Sequence, residues 1–173
     1  LLLLGREVLS QEKFYTKTGR ITFFSSAPME DIEANHKSVT SLLNTQSGEL
    51  RFSLMMKGFE FKKALMQEHF NKKFVESDKY PKAEFNGAIV NNSEINYAVP
   101  GRYDARVKGR LTIHGQTREV EVKGSVTVKE GQVDLHSIFT VLVADYNISI
   151  PRIYRDNIAR SLKITVECAL KPL

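Results

Sequence analysis

The chain has 173 residues, with 25 basic and 20 acidic side chains and a formal charge of +5, and a pI near 9.3. That length suits one domain with a full core, and no linker-like run divides it. The mild basic excess favours anionic partners without separating lipid from nucleic acid. A single cysteine, Cys168, excludes an intrachain disulfide, and no run approaches the roughly twenty apolar residues that a membrane-spanning helix needs.

Residues 1–12 read as a leader remnant or a flexible N-terminus. Leu1 to Leu4 and Gly5 resemble the end of a secretory apolar segment, with Val8 and Ser10 as small residues before a cut at Gln11. Arg6 and Glu7 interrupt that pattern, and an ordered apolar start is the alternative. Residues 13–173 form the domain.

From Phe14 to Ser26 two extended pieces are expected to flank a turn at Thr18-Gly19, with Ile21, Phe23 and Ser25 sharing a face. Asp31 to Leu43 reads as a strand. After the turn residues Asn44 to Gly48, Leu50, Phe52, Leu54 and Met56 alternate with Arg51, Ser53, Met55 and Lys57. Between Phe61 and Phe74 the period changes. Phe61, Leu65, Met66, His69, Phe70 and Phe74 recur at helical spacing, and Tyr80-Pro81 marks a stop. Strand resumes at Ala83, Phe85, Gly87 and Ile89, then turns at Asn91-Asn92-Ser93.

The clearest two-residue period runs from Tyr103 to Val128. Tyr103, Ala105, Val107, Gly109, Leu111 and Ile113 share an apolar face, and Val120, Val122, Gly124, Val126 and Val128 resume it after a turn. A four-residue turn over His114 to Thr117 would pair Leu111 with Val120 and Arg110 with Glu121. Gly109 and Gly124 mark places where the sheet bends or another group approaches closely. Val133, Leu135, Ser137, Phe139, Val141 and Val143 follow inward, and Ile138 with Leu142 on the reverse face suggest a strand covered on both sides. A loop from Ala144 to Asp156, broken by Pro151, precedes a last strand from about Arg160 to Leu170. About eight hairpin-linked strands and one helix close most naturally into an antiparallel barrel or pack as a sandwich.

No catalytic constellation is legible. His36, His69, His114 and His136 show no paired ligand spacing, although His36 and His136 could meet inside a barrel, and His114 reads as a solvated turn residue. Cys168, at an alternating apolar position, reads as a small buried hydrophobe. The bulky inward residues Phe23, Phe52, Leu54, Met56, Met66, Phe70, Phe85 and Phe139 either fill a core or line a lumen. An eight-stranded barrel is just wide enough for either outcome, so periodicity alone does not choose.

Three stretches point further. Phe74-Val75-Glu76-Ser77-Asp78-Lys79-Tyr80-Pro81 followed by Phe85, the run Gly109, Leu111, Thr112, Ile113, Gly115, Thr117, Arg118 and Val120, and Asp145-Tyr146-Asn147-Ile148 resemble the motifs of the YceI-like proteins. The resemblance spans roughly Phe14 to Leu170. Val143-Ala144 stand where that family's pattern has an arginine before its late turn. Such a resemblance implies an all-β fold, an extended eight-stranded antiparallel lipocalin-like barrel with one helix capping an opening. It also implies export to a periplasmic or secreted location, a long apolar molecule in the lumen, and no catalytic residue.

The expected ligand is therefore a polyisoprenoid, quinone or fatty-acyl lipid, lined by the eight bulky residues named above, with no other cofactor and no metal. At roughly 0.8 kcal/mol per buried CH₂, against an association cost of roughly 4–15 kcal/mol, a tail of about fifteen or more carbons is needed. Lys62, Lys63, Lys72 and Lys73 on the far helix face are expected to be solvated, with attraction to an anionic membrane surface as the alternative. Nucleic acid is not expected, since the lysines are not interleaved with aromatics, and a homodimer is left open. The alternatives are a lipid-transforming enzyme using histidines near a cavity and an interaction module with a solid core.

Overall fold

The computed structural model describes residues 12–173. The leader reading of residues 1–12 falls almost wholly outside them. Nine strands are present: β1 (Lys13–Ser26), β2 (Asp31–Asn44), β3 (Glu49–Met55), β4 (Glu60–Phe61), β5 (Lys82–Ile89), β6 (Gly101–Ile113), β7 (Gln116–Lys129), β8 (Gln132–Leu142) and β9 (Ser161–Pro172). All their pairings are antiparallel, and β1 pairs with both β9 and β2, which closes the sheet. The two-residue β4 sits beside β2 as an appendage, leaving eight strands in the closed ring. Ring closure resolves the choice between barrel and sandwich.

Antiparallel connection places every other link at the same end. One end, the base, carries the 44–49, 89–101 and 129–132 connections. The other, the lid end, carries 26–31, 55–82, the β6–β7 turn and 142–161. At the lid end lies helix α1 (Ala64–His69), continued as one π-helical turn over Phe70–Phe74. The wider turn closes when Val75 N–H reaches back to the Phe70 carbonyl at 2.9 Å.

Several expectations need correction. Phe61 belongs to β4, so the helix starts three residues later than its periodicity suggests, and Leu65 is 63% exposed and outside the apolar stripe. No turn interrupts β1 at Thr18-Gly19; the strand runs through a bulge there. Gly19 is needed for close approach, because a Cβ would lie 2.6 Å from Cys168 Sγ and 3.0 Å from the Val39 carbonyl. The β6–β7 turn has two residues, His114 (φ 53°) and Gly115 (φ 69°), which suits the right-handed twist of a hairpin. Leu111 therefore pairs with Arg118, Arg110 with Glu119, and Glu121 with Lys108. The error is an even number of residues, so each side chain keeps its face. Ile138 (54% exposed) and Leu142 (50% exposed) are uncovered, so β8 is buried on its inner face alone.

The interior has two apolar clusters. The base cluster gathers Phe14, Leu43, Leu50, Ile89, Ile95, Val126, Val133, Leu170 and their neighbours. The lid cluster gathers Phe23, Ala34, Val39, Leu54, Met56, Phe59, Phe70 and Val75. Ile21, Phe52 and Ile164 pack against both and join them.

Candidate functional site: two apolar cavities inside the barrel

On β6 and β7 the inward residues Val107, Leu111, Val120 and Val122 face the barrel interior yet are only half buried. They line a lumen together with Ile21, Leu50, Phe52, Leu54, Ala83, Phe85, Ile89, Phe139 and Val166. Counted with the open space at its mouth it spans about 840 Å³ free of atoms, of which about 120 Å³ admits the centre of a water molecule, so the void is narrow. An apolar void of the smaller size stays dry and accepts a small hydrocarbon guest.

Gly87 and Gly109 lie opposite each other across β5 and β6, and a Cβ on either would meet the Phe85 ring at 2.7 Å. The close approach expected at Gly109 is made first by the β5 backbone, with the Asn86 carbonyl 2.5 Å from a built Cβ, and then by the Phe85 ring over the glycine pair. At Gly124 the close neighbour is the backbone of β8, the His136 carbonyl at 2.5 Å from a built Cβ.

A second cavity lies under the helix, lined by Phe23, Ile32, Phe61, Met66, Phe70, Phe74, Val143, Ile148, Ile150, Ile158 and Leu162 among others. It holds about 510 Å³ of atom-free space, of which about 70 Å³ admits a water centre. Phe23, Phe59, Phe61 and Phe70 pack ring on ring beside it, with centroids 5.0–5.8 Å apart.

The eight residues picked from the sequence divide between these places. Phe52, Leu54, Phe85 and Phe139 line the lumen; Phe23, Met66 and Phe70 line the cavity under the helix. Met56 lines neither and is packed in the lid cluster. The valines of β6 and β7 on the lumen wall lie outside that set, because their alternation marks the inner face while their modest bulk does not mark a cavity.

The histidines do not converge on these cavities. His36 is buried, with Nε2 2.9 Å from the Met55 carbonyl and Nδ1 accepting the Ser38 N–H at 3.1 Å. His136 contributes to the lumen wall but is exposed on β8, and His69 lies tilted against Tyr154 with ring centroids 6.1 Å apart. His114 is far from solvated, at 10% side-chain exposure. Its Nδ1–H donates to the Tyr146 carbonyl at 2.9 Å and its Nε2 lies 2.6 Å from Glu76 Oε2, with Tyr80 edge-on at 4.7 Å. Arg118 Nε–H donates to the Asp145 carbonyl at 2.9 Å. The three motif stretches of the sequence therefore meet in one latch beside the helix. Glu76 (φ 49°), His114 (φ 53°) and Asn147 (φ 54°) are the non-glycine residues with positive φ among those described, and all three belong to the latch or adjoin it.

The family-specific elements thus hold the lid against the barrel rim. A YceI-like domain model matches residues 11–170. This chain belongs to the YceI-like family. Its fold is similar to a polyisoprenoid-binding domain from Saccharophagus degradans implicated in plant cell wall breakdown, with TM-score 0.81 at 13% identity over 94% of this chain and 99% of that one. Burkholderia cenocepacia BcnA gives TM-score 0.70 at 16% identity, covering 88% and 95%. The Campylobacter jejuni YceI protein gives 0.61 at 14%, covering 79% and 82%. No curated protein matches the sequence significantly. The family's members are binding proteins, and no helix among the described residues is long and apolar enough to cross a membrane.

Proposed function

We propose that this YceI-like protein binds one long-chain apolar molecule, a polyisoprenoid, quinone or fatty-acyl lipid, with its tail in the lumen and its near end under the helix. The observation that carries this reading is the pair of apolar cavities inside one closed barrel, set in two clusters that share Ile21, Phe52 and Ile164. Membership of the family and the polyisoprenoid-binding relative support it. Phe23, Phe52, Leu54, Met66, Phe70, Phe85 and Phe139 are the proposed contacts; Met56 supports them from behind.

A tail of about fifteen carbons exceeds the bore as it stands, so rings must turn to admit it. Phe52 and the four-phenylalanine cluster are the parts able to do so by rotamer change. The narrow bore also favours a second reading, an interaction module with a solid core, if those rings are fixed. Native mass spectrometry of the purified protein, followed by titration with long-chain isoprenoids, quinones and fatty acids, separates the two. A co-purifying lipid, or saturable binding of one of these classes, supports the proposal; protein that is reproducibly empty and binds none of them establishes the solid core.

We read the protein as a carrier or store rather than an enzyme, because the histidines that an enzymatic reading would need are dispersed as described. Export to a periplasmic or secreted location is proposed from family membership alone. Attraction to an anionic membrane is weaker than the lysine count suggests, since Lys63 pairs with Glu30 at 2.8 Å and Lys72 with Glu68 at 2.9 Å.

A further inference from the structure

Outside the two apolar cavities, a wide cleft on the surface is unassigned. It lies at the lid end between the β8–β9 connection and the start of β9, and about 880 Å³ of it admits a water centre. Its walls include Val143, Ile148, Ile150 and Ile158, which also wall the cavity under the helix. A dry compartment and a wet one therefore share a partition of four apolar side chains. The charged groups of the wet side are Arg155, Arg160 and Asp156. Both arginines are exposed, and neither guanidinium has a hydrogen-bond or ion-pair partner among the described residues.

We infer that this cleft takes the anionic head group, a phosphate or a carboxylate, of an amphiphile whose tail enters the barrel through the cavity under the helix. The inference rests on the lipid-binding reading above and narrows it to ligands with one charged end. A guanidinium offers paired N–H donors matched to two oxygens of such a group. Two guanidinia without a partner among the described residues, beside one carboxylate, leave the cleft cationic. The tail needs the dry side, the head needs the wet side, and the shared wall sets them one side chain apart.

Calorimetric titration of the full chain with farnesyl phosphate, farnesol and inorganic phosphate tests this, because the first two share a tail and the last has none. Farnesyl phosphate should bind about tenfold or more tighter than farnesol at low salt, with the gap shrinking as salt rises. Arg155→Gln combined with Arg160→Gln should lower farnesyl phosphate to the affinity of farnesol, whereas Arg152→Gln, just outside the cleft, should keep the preference. Equal binding of phosphate and alcohol to the unaltered protein, or a preference that survives the double substitution, overturns the head-group site and leaves the lipid reading standing. Inorganic phosphate binding as tightly as farnesyl phosphate shows a site for free anions and also overturns it. If neither farnesyl compound binds, both readings fall. Thermal melts of each variant show that the surface substitutions leave the fold intact.

Discussion

The two ends of this barrel are closed by different kinds of bond. At the base, Asn91 is buried and fully engaged: its side-chain amide N–H groups reach Glu94 Oε2 and the Asp104 carbonyl, both at 2.9 Å, and its oxygen accepts Arg106 N–H at 2.8 Å. Asn92 donates to the Thr45 carbonyl at 2.8 Å and accepts the Tyr97 hydroxyl at 2.8 Å. Behind them Leu43 and Leu170 are completely buried. At the lid end a short helix without a side-chain cap is held by one apolar stripe and by the His114 latch. The base is expected to open only together with the strands, and the lid to open alone.

The sharpest way to break that contrast is at the base. Leu170→Ala should cost about 3 kcal/mol of global stability, read as a lower denaturant midpoint, with hydrogen exchange in the lid unchanged relative to the lowered whole. A loss confined to the lid amides would reverse the assignment.

Alkaline pH should act on the base core next. Burial pushes the Cys168 thiol up to about 11 and the Tyr97 hydroxyl up to about 12. Both groups hold their protons more tightly when folded, so their stability contribution is complete below the unfolded values, near 9 for the thiol and 10 for the phenol. It is then lost as pH rises, from about 9 to about 11 through Cys168 and from about 10 to about 12 through Tyr97. Cys168 should account for on the order of 2 kcal/mol of that loss. Denaturant melts from pH 8 to 11 should show the decline, and Cys168→Ala should remove its first part. A flat profile would mean that the thiol is solvated.

At the lid, His114→Ala should cost about 1–2 kcal/mol and should appear mainly as faster hydrogen exchange from Asn71 to Tyr80. Equal acceleration at the base would show that no separate lid motion exists. The smallest effect is expected for Lys63→Gln, which removes an exposed ion pair with Glu30 and should change stability by less than about 0.5 kcal/mol. A larger loss in thermal melts would make that pair a clasp for the helix.

What the sequence made legible follows the same division. Alternation identified the inner faces of β6 and β7 because a strand repeats every two residues, and the even register error shows that faces are read more securely than partners. His114 was misread because a turn residue with a polar ring looks solvated; only the fold brings Glu76 and Tyr146 to it across 38 and 32 residues. Leu65 fits the helical period as well as Met66 does, and only the barrel rim decides which of the two is covered. Of the eight chosen aromatic and aliphatic residues, Met56 alone misses both cavities, since a 3₁₀ turn over Met56–Gly58 takes it off the strand.

Ring closure has a consequence for traffic. Backbone ladders close most of the circumference, but β7 meets β8 only from Gly124 to Lys129, so towards the lid end the wall has a seam between these two strands that no ladder holds. With the base stitched shut, a guest of the kind proposed would enter and leave at the lid end, past the helix or through that seam. Such a vessel would rank tails by length, because the floor stops them, and would turn away a molecule with a charge at each end, since one charge would have to travel down the dry shaft to reach the bottom.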